Sequence, residues 1–453
     1  MSVPETPAPA DRPDPADPAE VTDPTRRSRA ARAVGPSPQV LVIIAGVFAV
    51  SLLKGLRMPN LWAATHMTFN YSGGFIRRAL FGQMLHLLGG DAIFRYNRLA
   101  LVAVILFVIA ATVMVRLVRR VLATDGGDQG LQAVTLVFAA SPGMVFLAHE
   151  IGYLDYVGLI AVPLFIAWVA RTRTLWASFY VAAAICVVLA LIHESMIIMF
   201  APTLQFTMVN HIVTQSRARQ LPRRRVWLLV AHAAAVAALA LIASSVVGTL
   251  GTASAARIHA LQAAVARVAN FPLRGDAFDV LYRPVRENFD KVMPWYWSFP
   301  ANQRYLVSGL LVTLPGLAVL SLYALRLIAR LPWARPTRAV LAGLFLAASF
   351  SPLLLNFVGW DSARWNAIAF FAAFSCVASL RLFFTGTTAD PRPRPVDDPW
   401  MLTLAAAAIV LGLTSNYFNF LFDGYVVQWF PFDGQALSLW ELVRGNFRFI
   451  PSM

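Results

Sequence analysis

Residues 99–120 read LALVAVILFVIAATVMVRLVRR: a run free of charge that ends on Arg116, Arg119 and Arg120. At about 1.5 Å per residue, its apolar part nearly matches a hydrocarbon core of about 30 Å. Arginines directly behind such a run mark a helix end held on the cytoplasmic side. The pattern recurs along the chain. Apolar runs occupy about 40–56, 99–115, 131–148, 156–170, 174–192, 195–213, 226–247, 305–325, 339–357, 366–384 and 400–415. They do not alternate polar with apolar residues, which argues against a transmembrane β-barrel. The expected fold class is therefore all-α: a polytopic integral membrane protein with about 11 transmembrane helices.

Composition agrees. Of 453 residues, 58% are hydrophobic and only 13% charged, and mean hydropathy is +0.62. Soluble domains carry about 25% charged residues, so a soluble multi-domain enzyme is excluded. A net charge of +15 would suggest nucleic acid in a soluble chain. Here the arginines flank apolar runs, so they are assigned to topology and no nucleic-acid partner is expected. Cys186 and Cys376 lie inside apolar runs and read as small core residues.

Every second connection is short and basic. The arginines concerned are Arg116, Arg119 and Arg120; Arg171 and Arg173; Arg217, Arg219 and Arg223–Arg225; Arg326, Arg330, Arg335 and Arg338; and Arg381, Arg392 and Arg394. By the positive-inside rule those connections face the cytoplasm, as in a bacterial inner-membrane protein. Residues 1–38 hold nine prolines, interspersed acids and five arginines. They are expected to form a disordered cytoplasmic tail rather than a cleaved signal. The membrane domain then spans 39–415, and residues 416–453 emerge outside.

The opposite face carries two long connections, 57–98 and 248–304. In the first, Phe75, Leu80, Phe81, Met84, Leu85 and Leu88 recur at helical spacing with Arg77 and Arg78 on another side, which predicts a helix lying in the membrane interface. In the second, Ile258, Leu261, Val265 and Val268 form another stripe, and PWYWSFP at 294–300 reads as an aromatic belt. No internal repeat of the kind that marks inverted-repeat transporters is evident.

Charged groups near membrane helices are costly, so their placement is informative. HEIGYLDY delivers His149, Glu150 and Asp155; HES delivers His193 and Glu194; GWDSARW delivers Asp361 and Arg364; NYSGGFIRRALFG delivers Tyr71, Arg77 and Arg78. All four stretches fall on the outer side. Duller readings exist for each: helix caps, an i,i+3 ion pair between Asp361 and Arg364, arginines snorkelling to headgroups, and Gly73–Gly74 as an ordinary turn. His66, His86 and His259 read as interfacial bystanders. A divalent metal on His149, Glu150, His193 and Glu194 is conceivable, but no spacing motif supports it, and no cofactor is expected.

Arginines beside carboxylates suit a substrate with a phosphate head and an apolar tail. The candidate bases are Glu194, Asp361, Glu150 and Asp155; the candidate binding groups are Arg77, Arg78, Arg364, His193, His149 and Tyr71. The layout resembles polytopic GT-C-type glycosyltransferases and the related polysaccharide polymerases of bacterial inner membranes. That resemblance implies sugar transfer from a polyprenyl-phosphate or -pyrophosphate donor at the extracytoplasmic face, with membrane lipid and the lipid-linked sugar as partners. The sequence departs from the family in lacking an acid across 57–90, where GT-C enzymes usually carry one. Two other readings stand beside it, a transporter or lipid flippase and a non-catalytic assembly subunit. Oligomeric state is left open.

Overall fold

The structure is a computed structural model that describes residues 36–414 apart from 125–126, 173, 288–289, 292, 358, 360 and 385–397. Most of the 1–38 tail, the whole 416–453 segment, Arg173, Arg392 and Arg394 lie outside the described residues.

Among the described residues all regular structure is helical. In chain order it comprises α1 (Pro38–Gly55), then α2 (Leu61–His66) and α3 (Leu80–Gly89) within the first long connection, then α4 (Tyr96–Leu122). Next come α5 (Gln129–Ala140), α6 (Pro142–His149), α7 (Asp155–Val169), α8 (Leu175–Ile192), α9 (Met196–Ala218) and α10 (Arg223–Leu250). The second long connection holds α11 (Ala255–Ala266) and α12 (Gly275–Asp279). The chain continues as α13 (Pro300–Arg330), α14 (Arg335–Phe350), α15 (Ser362–Phe384) and α16 (Pro399–Thr414).

Nine segments among the described residues are long and apolar enough to cross a membrane: α1, α4, α5–α6 taken together, α8, α9, α10, α13, α14 with the turn that follows it, and α15. This is a polytopic helical membrane protein. The remaining two of the eleven runs are shorter helices, α7 of 15 residues and α16 of 16. At about 1.5 Å per residue each is roughly 23 Å long. Gly152 (φ +104°) turns the chain just before α7 and packs against Pro59 and Ala63. The third run is interrupted. Proline lacks the amide that a continuous helix needs, so Pro142 ends α5 and starts α6, and Ser141 Oγ donates to the Phe138 carbonyl at 2.7 Å.

α15 lies at the centre, with 89% of its apolar window buried, against 22–28% for α1, α4 and α10 at the periphery. The peripheral helices expose Leu101, Ile105 and Val108 on α4, and Trp227, Leu241 and Ile242 on α10, the surface a bilayer would solvate. Small residues allow close helix approach: a Cβ on Gly55 would meet the Val145 carbonyl, and one on Gly412 the Ala140 carbonyl.

The two long connections fold against each other. Phe69, Ile76 and Ala79 share a small core with Ile258, Leu261, Val265, Phe278 and Leu281. The predicted 258–268 stripe therefore packs on protein rather than lipid. The first amphipathic helix begins at Leu80, not Phe75, so Arg77 and Arg78 lie in the preceding turn, where Arg78 adopts φ +63°. Gly74 (φ +99°) is needed there because the Arg257 guanidinium lies over the Gly73–Gly74 turn, its Nη2 donating to the Phe75 carbonyl at 3.1 Å.

At the opposite end, Arg381 is no loop residue. It is buried within α15 and paired with Asp128 at the start of α5, and Tyr323 of α13 donates to Asp128 at 3.0 Å while accepting from Arg381 Nε at 2.7 Å. Asp128 also caps α5, accepting from Leu131 N at 2.9 Å.

Candidate functional site

The α6–α7 junction and the start of α15 build one polar cluster. Glu150 caps α6, and Asp155 opens α7 in the first turn, where the helix dipole favours an anion. Arg364, in the first turn of α15, grips Asp155 through two nitrogens, Nη2 to Oδ1 at 2.7 Å and Nε to Oδ2. This bidentate pairing is the strong form of the contact. Asp361 lies 3.3 Å from Arg364 Nη1, so the expected i,i+3 pair exists but is secondary to Asp155. The Arg364 guanidinium lies 5.2 Å above the Tyr153 ring. Arg57, which the sequence did not single out, lies 3.5 Å from Glu150 Oε1 and donates to the His149 carbonyl at 2.6 Å. Glu150 and Asp155 are both buried, and Glu150 Oε2 has no hydrogen-bond partner.

The second cluster forms where α8 meets α9. Arg78 Nε donates to both oxygens of Glu194 at 3.1 and 3.0 Å, with a further contact through Nη2. Arg77 approaches the same carboxylate at 3.8 Å. Its other contacts are structural: its backbone amide donates to Gly251 at 2.9 Å, and its Nη2 donates to the carbonyls of Val280 and Arg283. Arg77 is thus a buried tie between the two long connections, not a headgroup-facing arginine. His193 Nδ1 accepts from the Ser195 amide at 3.2 Å and lies 2.8 Å from Ser195 Oγ.

Aromatic contacts join the clusters. The His193 ring lies 5.7 Å from His66, His66 lies 5.1 Å from Trp62, and Trp62 stacks on Tyr153 at 5.6 Å. His66 is therefore no interfacial bystander. It is buried, with Nε2 unpartnered, inside the row that connects Glu194 to Arg364. The only sequence hint was its place four residues after Trp62 on the Asn60-capped helix α2. Two predicted residues stay apart. Tyr71 stacks on Phe75 within the first connection, and the His149 ring bonds to the Gly55 backbone, away from the cluster.

Below the first cluster lies a narrow cleft of about 30 Å³ between α6, α7 and α15. Met144, Leu147, Leu159, Ile368 and Phe371 line its depth, and Glu150, Tyr153, Asp155 and Arg364 line its polar end.

Electrostatics separate the carboxyls. Burial pushes Glu150 up to about 8, with Arg57 opposing, so at neutral pH it is largely protonated. Burial also raises Asp361, against the pull of Arg364. Burial alone would raise Glu194, but Arg78 and Arg77 outweigh it and hold Glu194 well below the usual range. Burial and the nearby Arg78 keep His66 and His193 neutral. The four conceivable metal ligands are not brought together: Glu150 lies in the first cluster, His193 and Glu194 in the second, and the His149 ring in neither; among the described residues no group of three or more His, Cys, Asp or Glu could hold a metal ion.

No family model, curated protein or solved structure matches this chain.

Proposed function

We propose that the protein is a membrane-embedded glycosyltransferase or polysaccharide polymerase of the inner membrane that takes a polyprenyl-phosphate- or pyrophosphate-linked sugar at the extracytoplasmic face. The face bearing the long connections is the outer one in this reading, since the arginine-rich connections are cytoplasmic by the positive-inside rule. The layout resembles GT-C-type enzymes, with α7 and α16 completing the eleven crossings.

One observation carries the reading: an apolar cleft between α6, α7 and α15 ends in a guanidinium, an aspartate and a protonated glutamate, with Asp361 beside that guanidinium. The chemistry of the lining suits an isoprenoid chain along the apolar residues and its phosphate at the arginine end, with the cleft widening to admit them. Asp361 is the favoured general base. Its side chain is 37% exposed, whereas Asp155 and Glu194 are each tied up by an arginine. In the transfer step the acceptor hydroxyl loses its proton to Asp361, its oxygen bonds the anomeric carbon, and the bond to the lipid phosphate breaks. The phosphate leaves as an anion stabilised by Arg364, with the Glu150 carboxyl as hydrogen-bond donor. Glu194, ionised and bound to Arg78, positions the Arg78 turn at the rim.

The test is Asp361→Asn and Arg364→Lys in cells, read as the envelope glycan at matched protein level. Loss of glycan in both variants supports the proposal; unchanged glycan in both removes it. The Ser141–Pro142 break within a span favours a second reading, a transporter, because such proteins use discontinuous helices near the bilayer midplane. Acceptor-independent flux of lipid-linked sugar in proteoliposomes would replace the transferase reading with that one.

A further inference from the structure

The helix α3 stands out among the outer elements. One face is buried, where Phe81, Gly82 and Leu85 pack inward and Gly82 lets the Phe69 carbonyl approach. Beside that face and toward the C-terminal end of the helix, Met84 (50%), Leu87 (76%) and Leu88 (82%) are exposed at i, i+3, i+4 spacing, with Phe75 (41%) preceding the helix in the chain. Three large apolar side chains this exposed on one helix face need a cover. After the turn 90–94 come Arg95 and Arg98, both exposed. Asp91 is the acid nearest the patch, paired with His86 at 3.5 Å.

The depth of this group follows from α4. Between Arg98 and Arg116 the helix holds no charge, and eighteen residues at about 1.5 Å each give about 27 Å, close to the hydrocarbon thickness. Over that interval Leu101, Ile105 and Val108 are exposed as a lipid-facing row. Arg98 therefore marks the hydrocarbon boundary at the long-connection end, and α3 ends nine residues before it, joined by the turn 90–94. With Arg98 at that boundary, Arg95 and Arg98 stand at phosphate depth, between the exposed apolar residues of α3 and the lipid-facing row of α4 in the chain.

We propose that α3 is inserted along its Met84–Leu87–Leu88 face into the leaflet at the long-connection end, and that Arg95 and Arg98 select anionic phospholipid headgroups there. The occupant of the face is the bilayer itself. The inference is independent of the transferase reading, and holds whether or not sugar is transferred.

The full chain in phosphatidylcholine vesicles tests it. Both native cysteines are buried, so an environment-sensitive fluorophore can be placed selectively through Leu88→Cys, Met84→Cys or Asp91→Cys. At positions 88 and 84, brominated lipid is expected to quench several-fold more than aqueous iodide, with the order reversed at the 68% exposed Asp91. At equal dilution, brominated phosphatidylglycerol should quench position 88 at least twofold more than brominated phosphatidylcholine. Arg95→Gln with Arg98→Gln should abolish that preference. Dominant iodide quenching at 84 and 88, protection there from both quenchers as a second copy would give, or equal quenching by the two lipids would each overturn the proposal.

Discussion

The central helix α15 carries a buried arginine near each end, and each is paired with an aspartate from another helix. At one end Arg381 and Asp128 are 3% and 0% exposed, with Tyr323 bridging both. At the other, Arg364 and Asp155 are nearly as enclosed, at 6% and 7%. The difference lies in what surrounds them. The Arg381 pair is enclosed by Tyr323 and the start of α5. The Arg364 pair adjoins a partly exposed Asp361, a Glu150 oxygen without a partner and an apolar cleft. Burying a charge thus identifies no site by itself, because a closed pair holds helices together. Unsatisfied groups at the edge of a cavity separate a binding site from such a staple.

That contrast can be broken most sharply at the closed end. Arg381→Met leaves Asp128 buried without its cation and is expected to cost about 3–5 kcal/mol of stability. Adding Asp128→Leu should recover most of it, as read by thermal unfolding in detergent. At the open end, Asp361→Asn should leave the melting temperature almost unchanged, since a part-exposed pair contributes about 0–1 kcal/mol. The same variant should slow transfer from a lipid-linked donor by about 100-fold or more. A large stability loss with normal transfer would make the open end a second staple.

Smaller effects sharpen the comparison. Tyr323→Phe removes one hydroxyl from the closed pair and should lower stability by about 1.5–3 kcal/mol, the range for hydrogen bonds to charged groups, without altering transfer. Glu150 gives a pH signature. Its folded-state value is raised to about 8 from an ordinary 4.5, so between those values the folded chain binds more protons than the unfolded one. Its contribution is complete below about pH 4.5 and is lost as pH rises through about 8. Unfolding temperature should therefore fall more over pH 5 to 8 in the native chain than in Glu150→Gln, and parallel curves would contradict the protonated assignment.

Much of this was legible in the sequence, because long apolar runs and arginine-rich turns report membrane helices directly. The four stretches rich in ionisable residues were legible as well, and Glu150, Asp155, Asp361 and Arg364 do come together. Pairing was not. Spacing offered Asp361 as the partner of Arg364, but the tighter contact is with Asp155, 209 residues away in the chain. Arg57 and His66 acquire their neighbours only through tertiary packing, and helical periodicity carries no such information. Arg381 looked like another cytoplasmic arginine because its partner Asp128 lies in a different connection. The stripe at 258–268 was real, but periodicity cannot say whether a helix face meets lipid or another loop.

The central claim is that the cleft beneath Arg364 holds the chain of a phosphorylated lipid. Native mass spectrometry of the purified protein with a polyprenyl phosphate tests it most directly, comparing the native chain with Ala367→Trp, which fills the cleft wall, and with Tyr323→Phe at the closed end. A one-to-one adduct in the native chain and in Tyr323→Phe, lost in a folded Ala367→Trp, is the expected result. An adduct of equal abundance in all three would contradict it.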